Sequence, residues 1–175
     1  VLGGGTGVWS SSDILVATVN SSTGLVTGVG AGTCNIVYTI TGGCNGPVSA
    51  QQSITVAPNS AVASVTGGTS PLCIGQTTTC TANGVVLSGG TGAWSSSNNA
   101  VATVDNAGLV TAQGAGTCNI IYTVTGGCNG PVSALQAITV NANSAISSVT
   151  GTSPLCLGAT ASYIANGVVL GGGTG

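Results

Sequence analysis

The phrase Val1 to Gly7, VLGGGTG, returns with one change at Val86 to Gly92 and unaltered at Val169 to Gly175, and Trp9 recurs as Trp94 in the same words. Offsets between copies are 85 residues for the tryptophans, 84 from Cys34 to Cys118 and 83 from Cys73 to Cys156, so single deletions separate the copies. A period of that length is one small domain, not one turn of a solenoid. Because the sequence opens and closes at the same point of the repeat, we expect the C-terminal part of one copy at 1–57, a complete copy at 58–141 and the N-terminal part of the next at 142–175.

The chain has no Lys, Arg, His, Met or Phe among its 175 residues, two carboxylates, 31 Gly, and an excess of Thr, Ser, Val and Ala. This is the composition of sheets and turns. Charge is nearly absent while 42% of residues are apolar, so there is enough apolar surface to offset chain entropy and folded domains are expected. Each copy sits near the lower size limit for a self-sufficient core, where cross-links help. No apolar run approaches the roughly 20 residues that cross a bilayer. Seven cysteines at recurring positions favour an oxidising compartment, with buried free thiols as the alternative.

Catalysis by proton transfer needs a group that titrates near working pH, and no His or Lys is present to supply it. Asp13 aligns with Asn98 and Asp105 with Asn20, so the charge does not recur while the side-chain oxygen does. That pattern predicts side chains capping turns through their own backbone. Calcium wants six to eight oxygens with several carboxylates, which disfavours a metal site. Serines without a base are surface hydroxyls, and Gly3-Gly4-Gly5 lacks the Lys and helix of a phosphate loop, so it reads as a turn. Nucleic acid and anionic membranes need cationic side chains and are excluded as partners. No catalytic residue, cofactor or metal ligand is expected. The sequon at Asn20 vanishes in the second copy and is treated as chance, while Thr-rich faces leave O-glycosylation open.

The complete copy reads as seven short strands between Gly-rich or Asn-rich turns: Ala61 to Thr66, Thr77 to Ala82, Gly92 to Ser96, Val101 to Val104, Leu109 to Ala112, Gly116 to Thr125 and Ser133 to Val140. In Gly116 to Thr125, alternation sets Cys118, Ile120, Tyr122 and Val124 on one face, assigned to the core, with Ile121 the exception on the other. No helix of two turns can be drawn. The expected fold is all-β: tandem seven-stranded immunoglobulin-like antiparallel sandwiches, with Trp9, Trp94, Tyr38 and Tyr122 in the core.

The run Trp94 to Asp105 (WSSSNNAVATVD), then Gly108 to Thr111 (GLVT), Gly114 to Thr117 (GAGT) and Asn119 to Thr123 (NIIYT), repeated over Trp9 to Tyr38, resembles the group 2 bacterial immunoglobulin-like domains. Copies with an added Cys-x-Gly (Cys73 to Gly75, Cys156 to Gly158) and a Gly-Gly-Cys ending at Cys128 look like the long secreted surface proteins and adhesins of gliding bacteria. The resemblance implies tandem extracellular modules used as stalks, adhesins or surface fibres, and no catalytic residues.

Under that resemblance Cys80 occupies an inward position of the second strand and Cys118 an inward position of the sixth. These strands lie in opposite sheets of an immunoglobulin-like sandwich, so a Cys80–Cys118 disulfide beneath Trp94 is expected. Closing that loop contributes about 3 to 4 kcal/mol in the chain-entropy picture. Tyr163 replaces Cys80 in the third copy, where the bridge is absent, and the partner of Cys34 is left unassigned. Cys73 is placed in the turn between the first two strands and Cys128 beyond the sixth, at opposite poles. Strands of six to eight residues span about 20 to 27 Å, too far for one disulfide. The reading is therefore a staple from Cys73 of one copy to the Gly-Gly-Cys of its successor, with Cys44, Cys73, Cys128 and Cys156 as inter-domain or inter-subunit candidates. Intradomain pairing through another strand order, or unpaired thiols, remains open.

Connectors such as Ala57 to Ser60 are too short to hang slack and predict a semi-rigid row advancing roughly 40 Å per domain. Without Lys at sheet edges or a protective net charge, association of Thr-rich and Ser-rich faces is tolerated. The sequence therefore predicts a structural repeat of an extracellular bacterial surface fibre or stalk whose partners are other copies of itself. The alternative is an adhesin contacting glycans through Asn, Thr and Tyr38 or Tyr122.

Overall fold

The computed structural model describes residues 4–172; Gly3 of the Gly-rich turn and the outer ends of the repeated VLGGGTG phrase lie outside them. All regular structure among the described residues is strand. Contacts divide the chain into two compact units, 1–59 and 60–175.

The first unit holds β1 (Thr6–Ser11), β2 (Ala17–Val19), β3 (Val26–Gly28), β4 (Gly32–Thr41) and β5 (Val48–Val56). β1, β4 and β5 form one antiparallel sheet and, among the described residues, β2 pairs only with β3. Thr, Val and Ile in alternation suit a pleated strand buried on one face, and β4 follows that rule with Cys34 and Ile36 buried. Those two join Val16 and Ala17 in a small cluster, against which Trp9, Val19, Ile54 and Val56 pack.

The second unit holds β6 (Ser64–Gly67), β7 (Leu72–Cys73), β8 (Thr77–Asn83), β9 (Thr91–Ser96), β10 (Ala102–Val104), β11 (Leu109–Ala112), β12 (Gly116–Thr125) and β13 (Val132–Asn141), then β14 (Ser148–Thr150) and β15 (Ile164–Asn166). One sheet runs β10-β11-β8-β6 and the other β7-β13-β12-β9. Between them lies one core of Val65, Leu72, Cys80, Val101, Ala102, Val110, Ala112, Cys118, Ile120, Ile138 and Val140. Among the described residues β14 and β15 pair only with each other.

The all-β sandwich matches the sequence expectation, with one correction to its strand set. Leu72 and Cys73, read as part of a turn, form an eighth strand that pairs with β13 in parallel, Val140 opposite Leu72 and Asn141 opposite Cys73. A two-residue strand is too short to show alternation, so only its partner reveals it. The registers of the two copies agree residue for residue: Trp9 faces Tyr38 as Trp94 faces Tyr122, and Cys34 faces Ile54 as Cys118 faces Ile138.

Candidate functional site

The cross-sheet centre is where recurring residues meet. β8 and β12 lie in opposite sheets, and Cys80 and Cys118 from them are both buried in the one core. Both are free thiols in this structure, as are Cys34, Cys44, Cys73, Cys128 and Cys156, so the expected bridge is not formed here. Burial pushes the Cys80 thiol above its ordinary range because the thiolate would lose its water. Its N–H donates to Gly108 O at 2.9 Å, and Gly68 lies so close that a methyl there would sit 3.3 Å from Cys80 Sγ.

Above this centre stands an aromatic pair. Trp94 and Tyr122 have ring centroids 4.9 Å apart and Trp9 and Tyr38 4.7 Å, a favourable tilted spacing in both copies. Their placement needs glycine. A methyl on Gly92 would run into the Tyr122 ring, and one on Gly108, whose φ is +84°, would meet Trp94 Cζ2 at 3.2 Å. These aromatics were expected inside the core. Instead Trp9, Trp94, Tyr38 and Tyr122 are half-buried at its rim, and Tyr163 is 56% exposed. Alternation names the face a side chain occupies; how far it is covered depends on where the facing sheet stops.

The cysteines outside the core mark the two ends of the complete copy. Cys73 pairs with Asn141, the last residue of β13. Cys128 lies before the start of β13, and its carbonyl accepts a hydrogen bond of 3.0 Å from the N–H of Ser60, where the copy begins. Ten residues of β13 separate those ends, about 30 Å of extended chain. Ser60 is itself buried, its hydroxyl donating to Leu87 O, and Ser144 repeats the bond to Leu170 O. Cys44, Cys128 and Cys156 are exposed and Cys73 is half-buried.

The carboxylates behave as their alignment with asparagine predicts. Asp13 Oδ1 accepts from the Leu15 N–H and Asn98 Oδ1 from Ala100; Asp105 Oδ1 accepts from Ala107 and Leu109, and Asn20 Oδ1 from Ser22 and Thr23. Each is a turn cap. Shallow depressions of about 200 and 190 Å³ lie beside Tyr38 on the first unit, one lined by Ile40, Val48 and Ala50, the other by Trp9, Ile36 and Gln52. Nothing in the sequence pattern pointed to them, because they arise from what does not cover the sheet.

Residues 80–127 match the family described as "Intimin, immunoglobulin-like domain". That is a bacterial immunoglobulin-like family; the finer group 2 resemblance is not what this match shows. Among solved structures, the chain is similar to domains 1–6 of surface layer protein SbsC at 16% identity and TM-score 0.30, covering 91% of this chain and 28% of that one. It is also similar to protocadherin PcdhgB3 EC1-4 at 12% identity and TM-score 0.43, covering 78% and 41%, and to mouse cadherin-23 EC22-24 at 15% and 0.38, covering 78% and 52%. The chain thus spans little more than a quarter of the length of that surface layer structure. No curated protein matches the sequence.

Proposed function

We propose that this chain is a structural repeat of an extracellular bacterial surface fibre or stalk, of the group 2 immunoglobulin-like kind, and that it is not an enzyme. The observation that carries the reading is the repeated register: the same Trp-over-Tyr pair, the same glycine beneath it and the same Asx caps serve two copies of one sequence. Residues that recur at equivalent places hold the sandwich together. The match to an intimin immunoglobulin-like domain supports a surface location and a structural or adhesive role.

On this reading Cys80 and Cys118 are oxidised to an intradomain clamp outside the cell, and the cysteines at opposite ends, Cys73 and Cys128, with Cys44 and Cys156, staple successive copies. Copies associate with one another, since a chain of formal charge −2 has no electrostatic barrier to contact. Electron microscopy of the purified, folded protein tests this: filaments with an axial repeat of roughly 40 Å per copy are expected. Dispersed particles that bind a glycan array would instead establish the adhesin reading, which the half-exposed Trp9 and Tyr38 beside Gln51 and Gln52 favour.

A further inference from the structure

The dipeptide Asn-Gly occurs four times in the chain, at 45–46, 83–84, 129–130 and 166–167. An asparagine amide is open to attack by the backbone nitrogen that follows it, and glycine has no side chain to shield that nitrogen. This makes asparagine one of the thermolabile residues. The structure places the four dipeptides in two different surroundings, each occurring twice.

Asn83 ends β8 with its amide held. Its Nδ2 donates to Thr66 Oγ1 at 2.8 Å, to Thr81 O at 3.3 Å and to Ser64 Oγ at 3.4 Å, and its carbonyl accepts from the Ala63 N–H at 2.9 Å. Gly84 is packed as well, since a methyl there would lie 2.6 Å from Ala63 Cβ. Asn166 repeats the arrangement, its Nδ2 donating to Ser148, Thr150 and Ile164 while a methyl on Gly167 would strike Ser147. Neither amide can swing onto the next nitrogen without giving up those bonds.

Asn129 sits in the Cys-Asn-Gly-Pro turn between β12 and β13, and Asn45 in the same turn between β4 and β5. Both asparagines and both glycines are exposed, and a methyl on Gly46 or Gly130 would meet nothing within 4 Å. The central residues all have positive φ, +82° and +72° at 45 and 46, +76° at both 129 and 130. A turn of this kind is ordinarily closed by the N–H of its fourth residue. Here the fourth residue is Pro47 or Pro131, which has no N–H, so the turn is left without that clasp.

We infer that Asn45 and Asn129 are sites of self-modification, converted to aspartate and isoaspartate by the glycine nitrogen that follows each, while Asn83 and Asn166 are kept as asparagine by the fold. Hydroxide takes the proton of the Gly130 N–H; the nitrogen forms a bond to Asn129 Cγ, and the Cγ–Nδ2 bond breaks, Nδ2 leaving as ammonia with a proton from water. Water then opens the five-membered imide at either carbonyl, and the net change is one amide and one water to one acid and one ammonia. Solvent supplies both reagents, so the absence of His and Lys is no obstacle. Conversion at both sites adds two negative charges to a formal charge of −2, giving −4. The new carboxylates stand next to Cys44 and Cys128, and their number records how long the chain has been in water.

Incubation of the reduced, folded chain in heavy-oxygen water at mildly alkaline pH tests this, with a parallel sample in urea. The opening step places one solvent oxygen in each new acid, so mass spectrometry of chymotryptic peptides counts conversions made during the incubation and ignores those made in handling. In the folded protein, label is expected at residues 45 and 129 and none at 83 and 166; in urea all four should take it up at similar rates. Equal labelling of the four in the folded protein overturns the inference, because the fold would then not discriminate. Folded protein that labels at none of them, while urea labels all, overturns it too, since the open turns would be as protected as the clamped ones.

Discussion

Trp94 on β9 stands directly opposite Tyr122 on β12, their ring planes at 67°, and the hydroxyl end of Tyr122 passes over Gly92, two residues before the tryptophan. The contact joins three residues of one phrase into a unit that tolerates no side chain at its glycine. In the first copy Trp9, Tyr38 and Gly7 form the same unit.

Gly92→Ala therefore forces the Tyr122 ring away from Trp94. We expect a loss of about 1 to 3 kcal/mol, the usual size of an overpacking change, measured as a lower urea midpoint with an altered tryptophan emission. Gly90→Ala is not a control, because its methyl would strike the Gly127 backbone; Thr91→Ala, on an exposed neighbour, is one and should change little.

Ile120 and Ile138 are fully buried on the inner faces of β12 and β13. Truncating either to alanine should cost about 2 to 5 kcal/mol by lost transfer energy and cavity formation. Leu135, on the same strand as Ile138 but facing outward and 56% exposed, should lose less than about 0.5 kcal/mol on the same truncation. Denaturant unfolding of the three variants compares the two faces of β13.

Asp105 holds its turn through two backbone N–H groups accepted by one oxygen, and an asparagine does the same work at residue 20. Asp105→Asn should be nearly neutral. Asp105→Ala, which leaves both donors without that acceptor, should cost about 0.5 to 1.5 kcal/mol per net hydrogen bond. A metal-binding or catalytic role for Asp105 would instead make the asparagine variant defective.

Cys80 supplies a pH dependence whose sign follows from its burial. Its folded thiol holds its proton more tightly than the unfolded one, because the charged form is desolvated. Stability of the reduced protein is unaffected below the unfolded thiol's pKa and falls as pH rises through and above it, since the unfolded state then releases the proton more readily. Urea midpoints of reduced protein should drop as pH rises into the alkaline range, and Cys80→Val should flatten that slope. Oxidation to a Cys80–Cys118 bridge should abolish this titration and raise stability by about 3 to 4 kcal/mol.

Strand positions were legible because alternation and turn residues are local: Leu109–Ala112 and Gly116–Thr125 fall where the sequence places them. The Asx caps were legible because two copies could be compared, which separates the conserved oxygen from the incidental charge. β7 was not, since two residues have no period and owe their strand geometry to β13. The rim position of the aromatics was not, since burial is set by the opposing sheet.

By itself the sequence determined the repeat, the all-β class, the inward faces and the absence of ionisable side chains suited to proton transfer, all of which depend on residue type and spacing. Tertiary structure alone decided which edges are paired and which faces are covered. Val26 and Val110 sit in the same local phrase, yet one is partly exposed and the other fully buried. The difference comes from β8, a strand distant along the chain, because a sheet's hydrogen bonds and apolar faces are satisfied by neighbours in space and carry no mark in the residues that need them.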